Sequence, residues 1–146
     1  MDFLQNLHSG LRWILLLILV LAVYNAFMKW RSKAAYGTKD RLINLLSLIF
    51  LHTQVLIGLI LYFGNEWYKG FKLMDIPIIR FFAIEHLFGM LLAAVLLTIG
   101  RKRAEKTDRP AGKHRKILIW YGITLIIILA SIPWPFISKF SGYDWF

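Results

Sequence analysis

RFFAIEHLFGMLLAAVLLTIG, residues 80–100, is the stretch whose reading decides the fold. It reads as one transmembrane helix, long enough for a hydrocarbon core of ~30 Å. Inside the apolar run sits an adjacent ionisable pair, Glu85 and His86. Such groups are costly in hydrocarbon, so the pair should face a partner, a cofactor or water rather than lipid. On a helix, His86 shares a face with residues three, four and seven positions away, namely Phe82, Ala83, Gly89, Met90 and Ala93. Three of those five are small, so a flat ligand can approach the backbone beside the imidazole.

The rest of the 146-residue chain resembles that stretch in character: 58% of it is hydrophobic, too apolar for an ordinary soluble domain. A single all-α membrane domain is expected over residues 1–146, with spans at about 9–28, 42–63, 80–100 and 117–133. There is no cysteine, which excludes disulfides, thiolate metal sites, thiolate-held iron–sulfur clusters and covalent c-type haem attachment.

The first apolar run, residues 11–28, can begin as a helix as early as Phe3. A removed signal peptide is the competing reading, but no basic residue precedes the run, whereas Lys29, Arg31 and Lys33 follow it. Asn25 reads as an interhelical hydrogen-bonder. The second run holds His52 and Gln54 and ends in Tyr62, Trp67 and Tyr68, as an interfacial aromatic belt would. Pro77 suits the first turn of the third helix, and Pro133 and Pro135 end or kink the fourth. The tail KFSGYDWF reads as interfacial.

Charge sets the expected orientation. Of 18 Lys and Arg, five fall in residues 29–41 and eight in residues 101–116. The positive-inside rule then puts both basic loops in the cytoplasm and both termini outside. Four antiparallel spans with short loops imply an up-down four-helix bundle. The net charge of +10 thus reflects topology and attraction to anionic lipid, not nucleic-acid binding, since the basic loop 101–116 is short and lacks interleaved aromatics.

Four histidines accompany the four spans: His8 at the outer end of the first, His52 near the middle of the second, His86 in the outer half of the third, and His114 just before the fourth. Imidazole is a standard ligand of haem iron, and a bundle core can hold the macrocycle between facing helices. Ligation by two histidines closes both axial positions and favours electron transfer over oxygen chemistry.

The segments LHSGLRW at 7–13, HTQVLIGLILYF at 52–63, EH at 85–86, GKHRK at 112–116 and IPWPF at 132–136 resemble small four-span bacterial membrane proteins of the cytochrome b type. The resemblance runs over nearly the whole chain. It implies a b-type haem electron carrier of the bacterial inner membrane, with one or two haems. Electrons would pass between a quinone, a partner redox subunit and another acceptor. Its partners would be the lipid bilayer and other redox subunits or further copies of the chain. It also implies His8, His52, His86 and His114 as candidate axial ligands. Many di-haem cytochromes place two ligands on one helix; this chain does not.

Depth gives a separate handle on pairing, since ligands of one haem should agree in height at ~1.5 Å per residue. His52 and His86 match well, and His8 matches His86 only if the first helix starts early and sits deep. His52 and His114 match poorly, so the order of preference is His86, His52, His8, His114. The plainer alternatives are neutral histidines bonded to a neighbouring helix for His52 and His86, an interfacial residue for His8, and a solvated one for His114. Arg12 shares a face with His8 and could pair a haem propionate, whereas Arg80 lies on another face from His86. Glu85 could orient a ligand, take up a quinone proton or pair with an outer cation; Met90, Gln54 and Asn44 read as packing or interhelical bonds. Two other functions stand beside the cytochrome: a cofactor-free accessory subunit, and a proton or divalent-metal transporter using Glu85, His86 and His52.

Overall fold

A computed structural model describes residues 1–142 of the chain. Four long helices account for most of it: α1 (Asp2–Arg31), α2 (Thr38–Gly64), α3 (Pro77–Glu105) and α4 (Pro110–Ala130). Short 3-10 turns cover Trp67–Lys72 and Ser138–Phe140, and no strand occurs among the described residues. The last part of the tail, residues 143–146, lies outside the described residues, so its expected interfacial position is not addressed.

Helix ends follow local chemistry. α1 carries Asp2 in its first turn and Lys29 and Arg31 in its last, each favourable to the helix dipole. The α2 start is fixed by the Asp40 carboxylate, which accepts the Gly37 N–H at 2.8 Å. Pro77 and Pro110 occupy first turns, where a missing N–H costs nothing. The stretch 101–116, read from sequence as a basic loop, is mostly helix. α3 continues through Glu105, helped by the Arg101–Glu105 pair at 3.0 Å, and α4 begins at Pro110. Lys, Arg and Glu are good helix formers, so a run of charge can end an apolar stretch without ending the helix.

α1, α2 and α3 are each long and apolar enough to cross a membrane. α4 is not. Its first two turns carry Lys113, Arg115 and Lys116, and its charge-free part, residues 117–130, spans only ~21 Å at 1.5 Å per residue.

Each helix packs on two others, α1 on α2 and α4, and α3 on α2 and α4, so α1 and α3 sit diagonally across the bundle. Small residues make the close approaches: Ala22, Ala26, Ala93 and Ala104 are all buried, and a Cβ on Gly100 would strike Trp120 of α4. The core between them is Leu15, Leu19, Leu51, Leu97, Ile117, Tyr121 and Ile128.

At the basic end, polar groups replace apolar packing. Asp40, 1% exposed, is held by Lys29 Nζ at 2.8 Å and Asn25 Nδ2 at 2.7 Å, which ties α1 to α2. Asn44 donates to the Tyr36 hydroxyl at 2.9 Å, and Tyr121 of α4 donates to the Asn44 carbonyl at 3.0 Å. Asn25 and Asn44 are therefore the hydrogen-bonders that their positions suggest. Burial raises the pKa of the Tyr36 phenol in the connecting loop, so it stays a neutral acceptor here.

Candidate functional site

At the opposite end of the bundle the four helices enclose a cavity of about 420 Å3. Small-molecule sites commonly occupy ~300–1,000 Å3. Its walls include His8 and Arg12 from α1, Gln54 and Gly58 from α2, His86 and Met90 from α3, and Ile128 from α4.

The diagonal helices bring His8 and His86 together. Their ring centroids lie 6.3 Å apart with the planes at 74°. Two imidazoles gripping one metal ion between them, each nitrogen ~2 Å from it, need a spacing close to this. One part of the expectation for this pair, an early start to the first helix, is seen, since α1 begins at Asp2.

His86 is oriented from behind. Its Nδ1–H donates to the Ser131 carbonyl at 2.7 Å, which leaves Nε2 with its lone pair. That carbonyl is available for two reasons. α4 ends at Ala130, and the residue whose N–H would take it in a continued helix is Pro135, which has none. Gly89, one turn along α3, makes room for Ser131: a Cβ there would strike its hydroxyl.

A π-turn at Phe81–Glu85 immediately precedes His86. Such turns widen the helix by one residue and recur at functional sites. This one turns Phe81 and Phe82 against the imidazole, at 5.8 and 6.2 Å between centroids, and Trp67 extends the aromatic wall from Phe82. It also leaves the Ala83 carbonyl to accept from the buried Tyr62 hydroxyl at 3.2 Å. Residues five apart come to one side of a π-turn, and Arg80 pairs with Glu85 at 2.9 Å. Lys139 approaches the same carboxylate at 3.7 Å. Glu85 thus forms ion pairs with Arg80 and Lys139, where its sequence reading offered Arg12 or another cation.

His8 packs close against α2 because residue 58 is glycine; a Cβ there would come within 3.3 Å of His8 Cε1. The Gln54 amide, one turn earlier, donates to the His8 carbonyl at 2.9 Å. Arg12 reaches the cavity one turn along α1, its guanidinium 5.3 Å from the centre of the Trp13 ring.

His52 and His114 are not part of this pair. His52 Nδ1–H donates to Leu48 O at 2.8 Å within its own helix, and its Nε2 sits 3.3 Å from the Thr98 hydroxyl of α3. Thr98 donates its one hydroxyl proton to the Ala94 carbonyl at 2.8 Å, so His52 Nε2 only packs beside that oxygen; the ring faces α3 at Thr98, and no contact between His52 and His86 follows from their matching depth. His114, expected in a solvated loop, is 1% exposed. It lies 5.1 Å from the Tyr36 ring, with Nε2 3.4 Å from Ala35 O. Among the described residues no three His, Cys, Asp or Glu gather where they could hold a metal ion, so Glu85, His86 and His52 do not form a shared metal site.

Ser131 and Gln54 are the contributors that residue-type reasoning passed over as site residues. Proline spacing in IPWPF and the four-residue interval between Gln54 and Gly58 were the available signals. Comparison with protein-family models, curated proteins and solved structures gives no match to this chain.

Proposed function

We propose that this protein is a membrane-embedded b-type cytochrome that holds one haem between His8 and His86. It would relay electrons in the bacterial inner membrane between a quinone or partner redox subunit and another acceptor. The observation that carries the reading is the facing pair of imidazoles, 6.3 Å between centroids, in the wall of a 420 Å3 cavity.

The residues present suit the group. One ligand has its outer nitrogen tied to a carbonyl, which fixes the tautomer and makes the inner nitrogen a better donor. The walls are apolar and aromatic, with Leu87, Met90 and Ile128 beside Phe82. Arg12 would hold a propionate, since guanidinium matches carboxylate. A haem bound there would supply a one-electron couple with no open axial position. Ligand exchange is disfavoured by packing: His86 is wedged by Phe81 and Phe82, and His8 is backed by α2 at Gly58. His52 packs its Nε2 edge against Thr98 of α3, and His114 turns its Nε2 toward the Ala35 carbonyl, so this pair offers no second site of the kind that His8 and His86 make.

The membrane arrangement belongs to the same proposal: four spans, up-down, both termini outside. Its support is that the 13 cations of the two basic segments cluster at helix ends away from the cavity. α4 completes the fourth span with residues 131–137 rather than by helix alone. The haem then sits near the outer face, within reach of an acceptor there.

Optical redox spectroscopy tests the reading. Purified protein should show a Soret band that sharpens and shifts on reduction, and His86→Ala should lose it. A colourless protein that accepts no added hemin, or a band unchanged in His86→Ala, would overturn the assignment and leave the accessory-subunit reading.

A further inference from the structure

Two buried polar atoms at this site have no hydrogen-bond partner among the described residues: Nδ1 of His8 and Oε1 of Gln54. They belong to adjacent groups on one patch. Gln54 and Gly58 are four apart and share a face of α2. The His8 backbone is bonded over the first, and the His8 ring lies over the second. The orientation of the amide is settled by chemistry. The His8 carbonyl can only accept, so the nearby Gln54 atom is the NH2 group, and Oε1 is the free acceptor. Gln54 is 5% exposed and lines the cavity. Leaving such an acceptor unmade costs ~1–3 kcal/mol, so a partner is expected in the working protein.

The two histidines are unequal in this respect. His86 has its Nδ1–H held by the Ser131 carbonyl. His8 has no such carbonyl: its ring meets α2 through Cε1 at Gly58, with Nδ1 and Nε2 almost equally near at 3.9 and 4.0 Å from the place of a Cβ, and the backbone oxygens of α2 are used within the helix. We infer that Gln54 is the positioning residue for His8: the two atoms are not bonded to each other in this structure, and a turn of the ring or of the amide lets Oε1 take the His8 Nδ1–H, which presents Nε2 to the cavity as Ser131 does for His86. One amide then fixes α1 twice, through the His8 carbonyl with its NH2 and through the ring with its oxygen. This rests on the haem reading for its purpose but not for its test.

The experiment is nitrogen NMR on 15N-histidine-labelled protein in detergent, before and after hemin is added. The His8 signals are assigned by their loss in His8→Gln. Two variants separate the roles of the amide. Gln54→Leu and Gln54→Glu both remove the donor to the His8 carbonyl, but only Gln54→Glu keeps an acceptor. The haem-free wild type and Gln54→Glu should show His8 with the proton on Nδ1. Gln54→Leu should shift it to a mixture of tautomers and weaken hemin binding by ~10–100-fold, the usual effect of losing a group that orients a ligand. A His8 tautomer unchanged in Gln54→Leu, or equally scrambled in both variants, would overturn the inference. Failure of hemin to bind wild type would sink the haem reading while the tautomer comparison still stood.

Discussion

Gly58→Leu should separate holding haem from folding. Residue 58 is the point where the His8 ring rests on α2, and an added Cβ would meet His8 Cε1 at 3.3 Å. Gly58→Ala therefore asks the ring to yield by only a small shift, and hemin affinity should fall by less than ~10-fold, about 1.4 kcal/mol. Leucine adds three more heavy atoms, and these extend along the wall of the 420 Å3 cavity toward the space between His8 and His86. In the haem-free protein the effects offset. Burying a leucine contributes ~1.5–3 kcal/mol and removing a helical glycine ~1 kcal/mol, against ~1–3 kcal/mol for crowding the imidazole. The melting temperature of the haem-free variant should stay level or rise by a few degrees. Hemin affinity should drop by at least ~100-fold, about 2.8 kcal/mol, because the bulk occupies the ligand's place. The assay is a hemin titration followed at the Soret band, beside thermal unfolding followed by circular dichroism. A folded Gly58→Leu that binds hemin as wild type does would refute the location of the site.

His52→Ala should cost ~1–2 kcal/mol in stability through its lost bond to Leu48 and lost packing against Thr98 yet bind hemin normally; a hemin-binding defect equal to that of His86→Ala would contradict the structural role assigned to it. Asp40→Ala should destabilise the bundle by ~3 kcal/mol in denaturant titration, since a fully buried carboxylate loses Lys29, Asn25 and the Gly37 N–H together; the Lys29 side chain, 31% exposed, can turn to water, which keeps the loss below that of a sealed ion pair. Gly100→Ala should lower the melting temperature while Gly122→Ala, with open space around its Cβ, should raise it slightly; the same sign for both would show that α3 and α4 do not meet at Trp120.

Much of this was readable in the chain because membranes impose coarse rules. Apolar runs gave three helices that meet the length of a bilayer, and an ionisable residue inside one of them, His86, turned out to line the cavity. The partner of His86 was harder to see. Depth along a helix is written in residue counts, but azimuth is not. His52 has a suitable height, yet it faces Thr98, while His8 needed an early helix start and a glycine on a third helix to reach the pair. The π-turn at Phe81–Glu85 has no sequence signature in the apolar pattern, and it resets which side residues 80–86 present. Residue spacing places Arg80 on another face from His86; its pairing with Glu85 is what the turn adds. His114 looked solvated because charge surrounds it; once the charged stretch is helical, one of its faces turns inward against Tyr36.

The ratio of haem to polypeptide, measured on purified protein and on His8→Ala and His86→Ala, addresses the diagonal histidine pair most directly. One haem per chain in the wild type, and close to none in either variant while His52→Ala and His114→Ala retain theirs, is the result expected. A ratio of zero in the wild type, or full loading after either of the first two substitutions, would contradict it.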